Sequence, residues 1–166
     1  APLVGRVDDS KRLTPRQREL LFDEVSARAL AVGVGRCEAS EIDRLGIVPA
    51  TRRAMSLALA ALSLRPDYIL LDYLTLPGIA CPQRGIPHGD ALSLSIAAAS
   101  IIAKVTRDRW MVGQASVYGG YGFDVHKGYG TASHREALEQ LGPCAQHRLS
   151  FAPLATRQLR LDVHVD

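Results

Sequence analysis

The chain has 166 residues, of which 47% are hydrophobic and 22% are charged, and its formal net charge is +3. Such a composition excludes a disordered chain and predicts one folded domain, whose mildly basic charge is compatible with a nucleic-acid partner. The longest apolar run stops at Lys104, too short to span a bilayer, and three cysteines without a CxxC pair predict reduced thiols and a cytoplasmic location.

The first part of the chain predicts a helix followed by a short strand. Thr14 is a suitable N-cap residue and Pro15 suits the first helical position, while Leu21 and Val25 repeat at helical spacing. Residues 31–37 alternate valine with glycine, which is typical of a strand with close neighbours.

The middle of the chain predicts helices and then a buried strand. A helical region opens at residues 40–43, is expected to break at residues 46–49, and resumes over residues 51–62. Residues 68–71 then form an apolar run that predicts a strand ending at Asp72.

The remaining chain supplies one more extended segment and the longest helix. Residues 81–86 predict an extended segment that Pro87 ends, and residues 93–115 predict a helix with Ala99 and Ala103 among its inward-facing positions. A short helix is expected at residues 133–141. The alternation of strands and helices indicates an α/β domain, although three strands are few for a self-standing sheet.

Two carboxylates lie where the predicted elements begin or end. Asp72 closes a strand, and Asp90 follows Gly89 at the start of a helical segment. Each has an ordinary structural explanation, a turn for Asp72 and a helix N-cap for Asp90. Together they are hard oxygen ligands of the kind that Mg²⁺ or Mn²⁺ requires, although two carboxylates alone hold two such ions weakly.

Other polar residues divide between structural roles and contact with a substrate. Asp108 is flanked by cations, which favours an ion pair over a metal-ligand role. Lys127 and Tyr129 lie in a glycine-containing loop suited to a sugar-phosphate backbone, or else in an ordinary solvated loop. His134 and His147 lack metal-ligand spacing, so we expect hydrogen-bonded structural histidines.

Eight landmarks, taken together in their order and spacing, resemble type 2 ribonuclease H, the ribonuclease HII family. They are Asp9-Ser10-Lys11-Arg12-Leu13, Glu41-Ile42-Asp43, Leu71-Asp72, Gly89-Asp90, the run from Ala97 to Arg109, Tyr121-Gly122-Phe123, His126-Lys127-Gly128-Tyr129-Gly130-Thr131 and His147-Arg148-Leu149-Ser150-Phe151.

The resemblance implies an α/β ribonuclease H-like fold, with a mixed sheet flanked by helices. It implies a monomeric endonuclease that cuts the RNA strand of RNA–DNA hybrids and nicks 5′ of single ribonucleotides in DNA, using Mn²⁺ or Mg²⁺. Asp72 and Asp90 match two of the four metal-binding acids of the family. Tyr129 matches the tyrosine that senses the ribose 2′-hydroxyl, and Lys127 and Lys11 match basic positions near the backbone.

One departure from the family concerns its first strands, which carry an Asp-Glu-x-Gly-Arg-Gly motif. These 166 residues contain no such motif, and they begin with Ala1. We therefore expect a ribonuclease H-like domain over residues 1–153 with its first strands missing, a tail over residues 154–166, and a fragment with little or no activity. Smaller departures are Tyr73, where glycine often follows the strand aspartate, and His88, where lysine is common.

Two other functions remain open at this point. A catalytically inactive nucleic-acid-binding module of the same fold would bind hybrids without cutting them. A different ribonuclease H-like nuclease, such as a transposase or a Holliday-junction nuclease, would lack the loop at residues 126–131.

Overall fold

The computed structural model describes residues 13–155. Lys11, with most of the landmark that contains it, lies outside the described residues. Among residues 13–155, none of the helices combines the length and the apolar composition that a membrane span requires. The elements are α1 (Pro15–Arg28), α2 (Ala39–Leu45), α3 (Ile47–Ala60), β1 (Ile69–Asp72), β2 (Gln83–Ile86), α4 (Gly89–Leu92), α5 (Leu94–Val117), α6 (Phe123–His126) and α7 (Ala132–Leu141).

The described residues fall into two compact units. The first unit comprises residues 13–36 and 52–109, and the second comprises residues 37–51 and 110–155. Asp72 and Asp90 therefore belong to the first unit, whereas Lys127 and Tyr129 belong to the second.

Helix α1 begins where the sequence predicts. The Thr14 hydroxyl accepts a hydrogen bond from the Gln17 amide at 3.3 Å, and the Gln17 side chain accepts one from the Thr14 amide at 2.8 Å. This reciprocal pair satisfies two amides that the first helical turn leaves without intrahelical partners. Pro15 occupies the first turn, as predicted, because its missing N–H costs nothing there.

The long helix α5 confirms the predicted helix but not all of its predicted inward face. Ile101 and Val105 are almost fully buried and pack against Leu21 of α1. Ala99 and Ala103, which were expected to face inward, are exposed. The larger side chains at the i and i+4 positions 101 and 105 set the buried stripe, since they remove more apolar area from water than alanine does.

Strands β1 and β2 form a parallel pair, with Ile69 opposite Gln83 and Asp72 opposite Ile86. Alternate residues of β1 are buried, which places Leu71 in the core and leaves Asp72 exposed at the end of the strand. Both strands fall within predicted extended segments, and the α/β class is confirmed. The expected mixed pairing is not seen in this sheet, which within residues 13–155 has these two strands.

The strand predicted at residues 31–37 is wrong, because the structure assigns these residues to no strand. Their glycines lie directly against α3. A Cβ atom on Gly33 would lie 2.2 Å from the Ala58 carbonyl oxygen, and one on Gly35 would lie 1.9 Å from that of Ala54. The glycines thus reflect close contact with a helix. The intervening Val34, with 44% of its surface exposed, is not part of a core.

The predicted break between the second and third helices is shorter than expected. Gly46 alone separates α2 from α3, and its φ of 81° lies in the region that favours glycine. Pro49 falls in the first turn of α3 and does not delay its start, because the amides of that turn need no intrahelical partner.

The second unit has an aromatic core. Tyr121 and Phe123 stack with their ring centroids 5.3 Å apart, and the Tyr121 hydroxyl donates to the Gly142 carbonyl at 2.7 Å. The short helix α6, which was not predicted, therefore begins at a buried anchor, and the expected helix at residues 133–141 is confirmed as α7. The buried apolar residues of this core are Met111, Tyr121, Phe123, Leu138 and Leu154.

Candidate functional site

Asp72 and Asp90 come from segments that contact each other in the first unit. The Gly89 amide donates a hydrogen bond to the Asp72 Oδ1 atom at 2.9 Å. Asp90 follows Gly89 directly, in the first turn of α4, and is half-buried, whereas Asp72 is exposed. The helix N-cap position belongs to His88, so the alternative explanation of Asp90 as an N-cap residue is wrong.

Gly89 is closely packed where these two segments meet. A Cβ atom at that position would lie 2.6 Å from the Ile96 Cδ1 atom and 3.5 Å from the Asp72 Cα atom. Since contacts shorter than about 3 Å between nonbonded carbons are repulsive, a larger residue would require the end of the Ile96 side chain to move, whereas the distance to Asp72 is an ordinary contact. The link between the two carboxylate-bearing segments is therefore the hydrogen bond from the Gly89 amide.

Left-handed backbone occurs within two residues of each carboxylate. Tyr73 has a φ of 64° and His88 a φ of 54°, so two non-glycine residues occupy a region that costs about 1 kcal/mol or more. These are the two positions at which the sequence departs from the ribonuclease HII pattern near the acids. The glycine common at position 73 suits this backbone conformation directly.

Asp72 and Asp90 are suited to part of a divalent-ion shell. Carboxylate oxygens are the ligands that Mg²⁺ and Mn²⁺ prefer, and these two carboxylates lie on adjoining segments. Residues 13–155 contain no group of three or more His, Cys, Asp or Glu side chains placed to hold a metal ion. The carboxylates of Asp72 and Asp90 are therefore of the right chemical type for Mg²⁺ or Mn²⁺, to which they would supply two protein ligands.

Asp108 forms ion pairs with basic side chains of its own helix. The Lys104 Nζ atom lies 2.6 Å from Asp108 Oδ1, and the Arg107 Nη1 atom lies 3.6 Å from it. The predicted structural ion pair is confirmed.

The loop that carries Lys127 and Tyr129 leaves the end of α6 in the second unit. Lys127 caps this helix with a φ of 53°, and its amino group donates to the Asp124 carbonyl. The Tyr129 amide donates to the His126 carbonyl at 2.9 Å, while 55% of the tyrosine surface is exposed. The backbone of this loop is thus fixed, with the phenol side chain accessible.

The histidines behind this loop are hydrogen-bonded, as the sequence predicts. His134 Nδ1 lies 2.9 Å from the Tyr129 carbonyl oxygen, and its Nε2 atom lies 3.2 Å from His147 Nε2. Burial lowers the pKa of His134, an effect that the bond to Tyr129 opposes and the neighbouring His126 reinforces. Burial likewise lowers the pKa of His147, so both rings favour the neutral form.

Asp43 is a structural anchor that the sequence did not reveal. Its carboxylate accepts hydrogen bonds from the Leu149 and Ser150 amides at 2.8 and 3.0 Å, and from the Ser150 hydroxyl. Burial raises the pKa of Asp43, but the bonds from Ser150 and Leu149 and the nearby Arg148 charge outweigh it, so this pKa lies below its usual value. The landmark that ends at Asp43 and the landmark that contains Leu149 and Ser150, neither of which had a predicted function, are therefore hydrogen-bonded to each other.

The chain was compared with known families and structures. The family model described as Ribonuclease HII matches residues 4–154. Curated proteins named Ribonuclease HII include one from Dehalococcoides mccartyi, 53% identical over 91% of this chain and 72% of its own length. Another, from Chloroflexus aurantiacus, is 51% identical over 96% of this chain and 76% of its own length.

A solved structure shows the same fold. The ribonuclease H2 of Pyrococcus horikoshii superimposes with a TM-score of 0.72 at 26% identity, covering 94% of this chain and 82% of that one. The sequence matches and the structural match agree on one family.

Proposed function

The chain belongs to the ribonuclease HII family, and from this we propose that it cuts the RNA strand of RNA–DNA hybrids and nicks 5′ of single ribonucleotides in DNA. Members of the family are endoribonucleases of the ribonuclease H type, so the reaction class is phosphodiester hydrolysis. The structural observation that carries the proposal is the hydrogen bond from the Gly89 amide to Asp72, because it joins the two carboxylate-bearing segments.

We propose Asp72 and Asp90 as metal-binding catalytic residues for Mg²⁺ or Mn²⁺. Bound divalent ions supply charge that activates water and stabilises the departing 3′ oxygen. The protein's part is to hold the carboxylates: β1 presents Asp72 at its exposed end, and the first turn of α4 presents Asp90.

Tyr129, Lys127 and Lys11 are proposed to bind the substrate. The exposed phenol of Tyr129 can pack against a ribose and hydrogen-bond its 2′-hydroxyl, the group that separates RNA from DNA. A lysine ammonium neutralises backbone phosphate, so Lys127 and Lys11 would add affinity without base specificity.

We propose that residues 1–153 act as one ribonuclease H-like domain in a cytoplasmic monomer, with a tail after it. The free thiols of Cys37, Cys81 and Cys144 support a reducing compartment. Leu154, the first residue of the expected tail, packs in the core of the second unit, so we propose that the domain also includes this residue.

The 166 residues by themselves are proposed to cleave weakly or not at all. Two carboxylates give each ion few protein ligands, and phosphoryl-transfer sites that use two metal ions require further acids. This low activity is also what the alternative function, a binding module without catalysis, would show. The ribonuclease and the binding module differ in metal dependence, because only the ribonuclease needs Asp72 and Asp90 to bind a divalent ion.

One experiment tests the site and the level of activity together. Mn²⁺ binding by the 166-residue chain is followed by electron paramagnetic resonance, and cleavage is followed on a duplex with one embedded ribonucleotide. We expect weak Mn²⁺ binding that Asp72→Asn and Asp90→Asn each remove. Asp67→Asn, which changes an exposed aspartate in a turn, serves as the control and should bind as the unchanged chain does.

The outcomes separate the two parts of the proposal. Cutting that Asp72→Asn abolishes would leave the ribonuclease assignment standing and overturn the proposed inactivity. Mn²⁺ binding that neither Asp72→Asn nor Asp90→Asn alters would overturn the proposed metal site and favour the binding module.

A further inference from the structure

The second unit contains a chain of polar groups that ends at the backbone of Tyr129. The Cys144 amide donates to His147 Nδ1 at 3.0 Å, His147 Nε2 lies 3.2 Å from His134 Nε2, and His134 Nδ1 lies 2.9 Å from the Tyr129 carbonyl oxygen. Both rings lie against Phe123, with centroid distances of 5.7 Å. We call these two rings the histidine pair.

The fixed ends of this chain determine where the protons lie. A carbonyl oxygen only accepts, so His134 must carry its proton on Nδ1 to bind Tyr129. A backbone amide only donates, so His147 Nδ1 must accept from Cys144, and its proton is on Nε2. The bond between the rings then runs from His147 Nε2–H to His134 Nε2. Each ring is neutral and uses both nitrogens.

His147 has two further polar neighbours, and neither reverses this assignment. Its Nδ1 atom lies 3.2 Å from the Cys144 sulfur and 3.3 Å from the Cys144 carbonyl oxygen. Burial raises the pKa of the Cys144 thiol, so the sulfur stays protonated and can donate to the same nitrogen. The Cys144 carbonyl could only accept from a protonated Nδ1, but it lies farther away than the Cys144 amide nitrogen, whose hydrogen bond to Nδ1 at 3.0 Å is the shortest of the three contacts.

The backbone of Tyr129 is consequently held on both sides by histidine residues. Its amide donates to the His126 carbonyl at 2.9 Å, and its carbonyl accepts from the His134 ring and from the Thr131 amide at 2.8 Å. The His126 and His134 rings stack with centroids 4.3 Å apart, which fixes the two supports relative to each other. Tyr129 projects an accessible phenol from this fixed backbone.

We propose that His134, oriented by His147, is a positioning residue that sets the backbone, and hence the phenol, of Tyr129 for recognition of a ribose in nucleic acid. This inference rests on the proposed function for the role of the phenol and on the hydrogen-bond geometry for the rest. His134 is buried and His147 half-buried, so the pair acts through the Tyr129 carbonyl.

Two substitutions of His134 distinguish the effect of losing its hydrogen bond to Tyr129 from the effect of losing its imidazole ring. In His134→Asn the side-chain amide nitrogen occupies the place of Nδ1 and can still donate to Tyr129. In His134→Gln the amide lies one bond further out and loses that donor, while glutamine at this third position of α7 suits the helix start after Thr131. His134→Asn also removes the link to His147, whereas the glutamine amide reaches about the place of Nε2 and can keep that link.

The first measurement needs no activity. Nitrogen-15 NMR of the histidine side chains in the unchanged protein should show protons on His134 Nδ1 and His147 Nε2. Amide hydrogen exchange at Tyr129 and Thr131 should quicken about tenfold or more in His134→Gln and stay within about threefold of the unchanged chain in His134→Asn. Equal exchange in the two variants, or the opposite tautomers, would overturn the positioning role.

The second measurement addresses recognition. Affinity is compared for a duplex with one ribonucleotide and for the same duplex made only of DNA. His134→Gln should lose the preference to the level of Tyr129→Phe, which lacks the hydroxyl, whereas His134→Asn should keep it. If the unchanged chain prefers the ribonucleotide and His134→Gln does too, the positioning proposal fails. If the unchanged chain has no preference while the exchange results hold, the proposed function of Tyr129 fails and the positioning of its backbone stands.

Discussion

Tyr73 shows how a single residue reports on the geometry of its neighbour Asp72. Its φ of 64° is left-handed, and its amide donates to the Ile86 carbonyl at 2.9 Å, which keeps the chain turning at the end of β1. With 74% of its surface exposed, the side chain gains little packing in return. The local strain is therefore imposed by the backbone path past the carboxylate.

Replacing Tyr73 with glycine should stabilise the protein. Glycine adopts this φ without the Cβ clash, so the free energy of unfolding should rise by up to about 1 kcal/mol. Urea unfolding followed by circular dichroism measures it. Tyr73→Ala is the matched control, because it removes the ring and keeps the Cβ atom, and it should leave stability nearly unchanged. Equal stabilities for the glycine and alanine variants would show that the backbone is not strained at this position.

At the scale of elements, glycines determine how closely segments of the first unit approach each other. Gly33 and Gly35 let residues 31–37 lie against α3, whose backbone occupies the space of the missing side chains. At Gly89 the nearest atom is instead the end of the Ile96 side chain. A valine–glycine alternation therefore has two physical causes, strand pairing or helix contact, which the sequence does not distinguish.

Gly35→Ala should destabilise the protein by about 1–3 kcal/mol, the usual range for overpacking. The added methyl group would lie 1.9 Å from the Ala54 carbonyl oxygen and 2.5 Å from the Ala58 amide nitrogen, both backbone atoms that cannot rotate away. Gly113→Ala is the control, since nothing lies within 4 Å of its Cβ position and alanine favours a helix. Urea unfolding should place the two variants on opposite sides of the unchanged chain. If Gly35→Ala left the free energy of unfolding unchanged, α3 would be able to shift without cost.

For the whole molecule, the histidine pair makes stability depend on pH. Burial holds the pKa values of His134 and His147 below the value of about 6.5 expected in an unfolded chain. As the pH falls, the unfolded chain therefore binds protons before the folded one does. Stability from the neutral pair is complete above about pH 6.5 and is lost as the pH falls from there through the folded pKa values. Titratable groups facing the pair include His126, Cys144 and Tyr121.

Unfolding free energy measured between about pH 8 and pH 5 should fall with decreasing pH. The fluorescence of Trp110, the single tryptophan, which packs against the core of the second unit, is the probe. His134→Asn should flatten this dependence, because it removes one titrating group and keeps the bond to Tyr129. Identical pH dependence in the two proteins would contradict a neutral buried His134. The lowered pKa of Asp43 acts in a separate range, with stability lost only below about pH 3.9.

The landmarks, read in order, identified the family, and local signals located most elements. Thr14 and Pro15 predicted the start of α1, and the apolar run ending at Asp72 predicted β1, because capping and burial patterns are properties of neighbouring residues. Asp108 was correctly assigned to an ion pair because its partner Lys104 is one helical turn away.

Tertiary structure decided what depends on residues far apart in the chain. Asp43 binds Ser150, His134 binds His147, and Gly35 lies against α3, and no local pattern encodes any of these partners. The sequence predicted functional roles for Asp72, Asp90 and Tyr129 because their residue types suit the proposed chemistry, and these roles stay predictions. Only the fold could show that Gly89 links the two carboxylate-bearing segments and that buried histidines hold Tyr129, since hydrogen bonds between distant residues form only once the chain has packed.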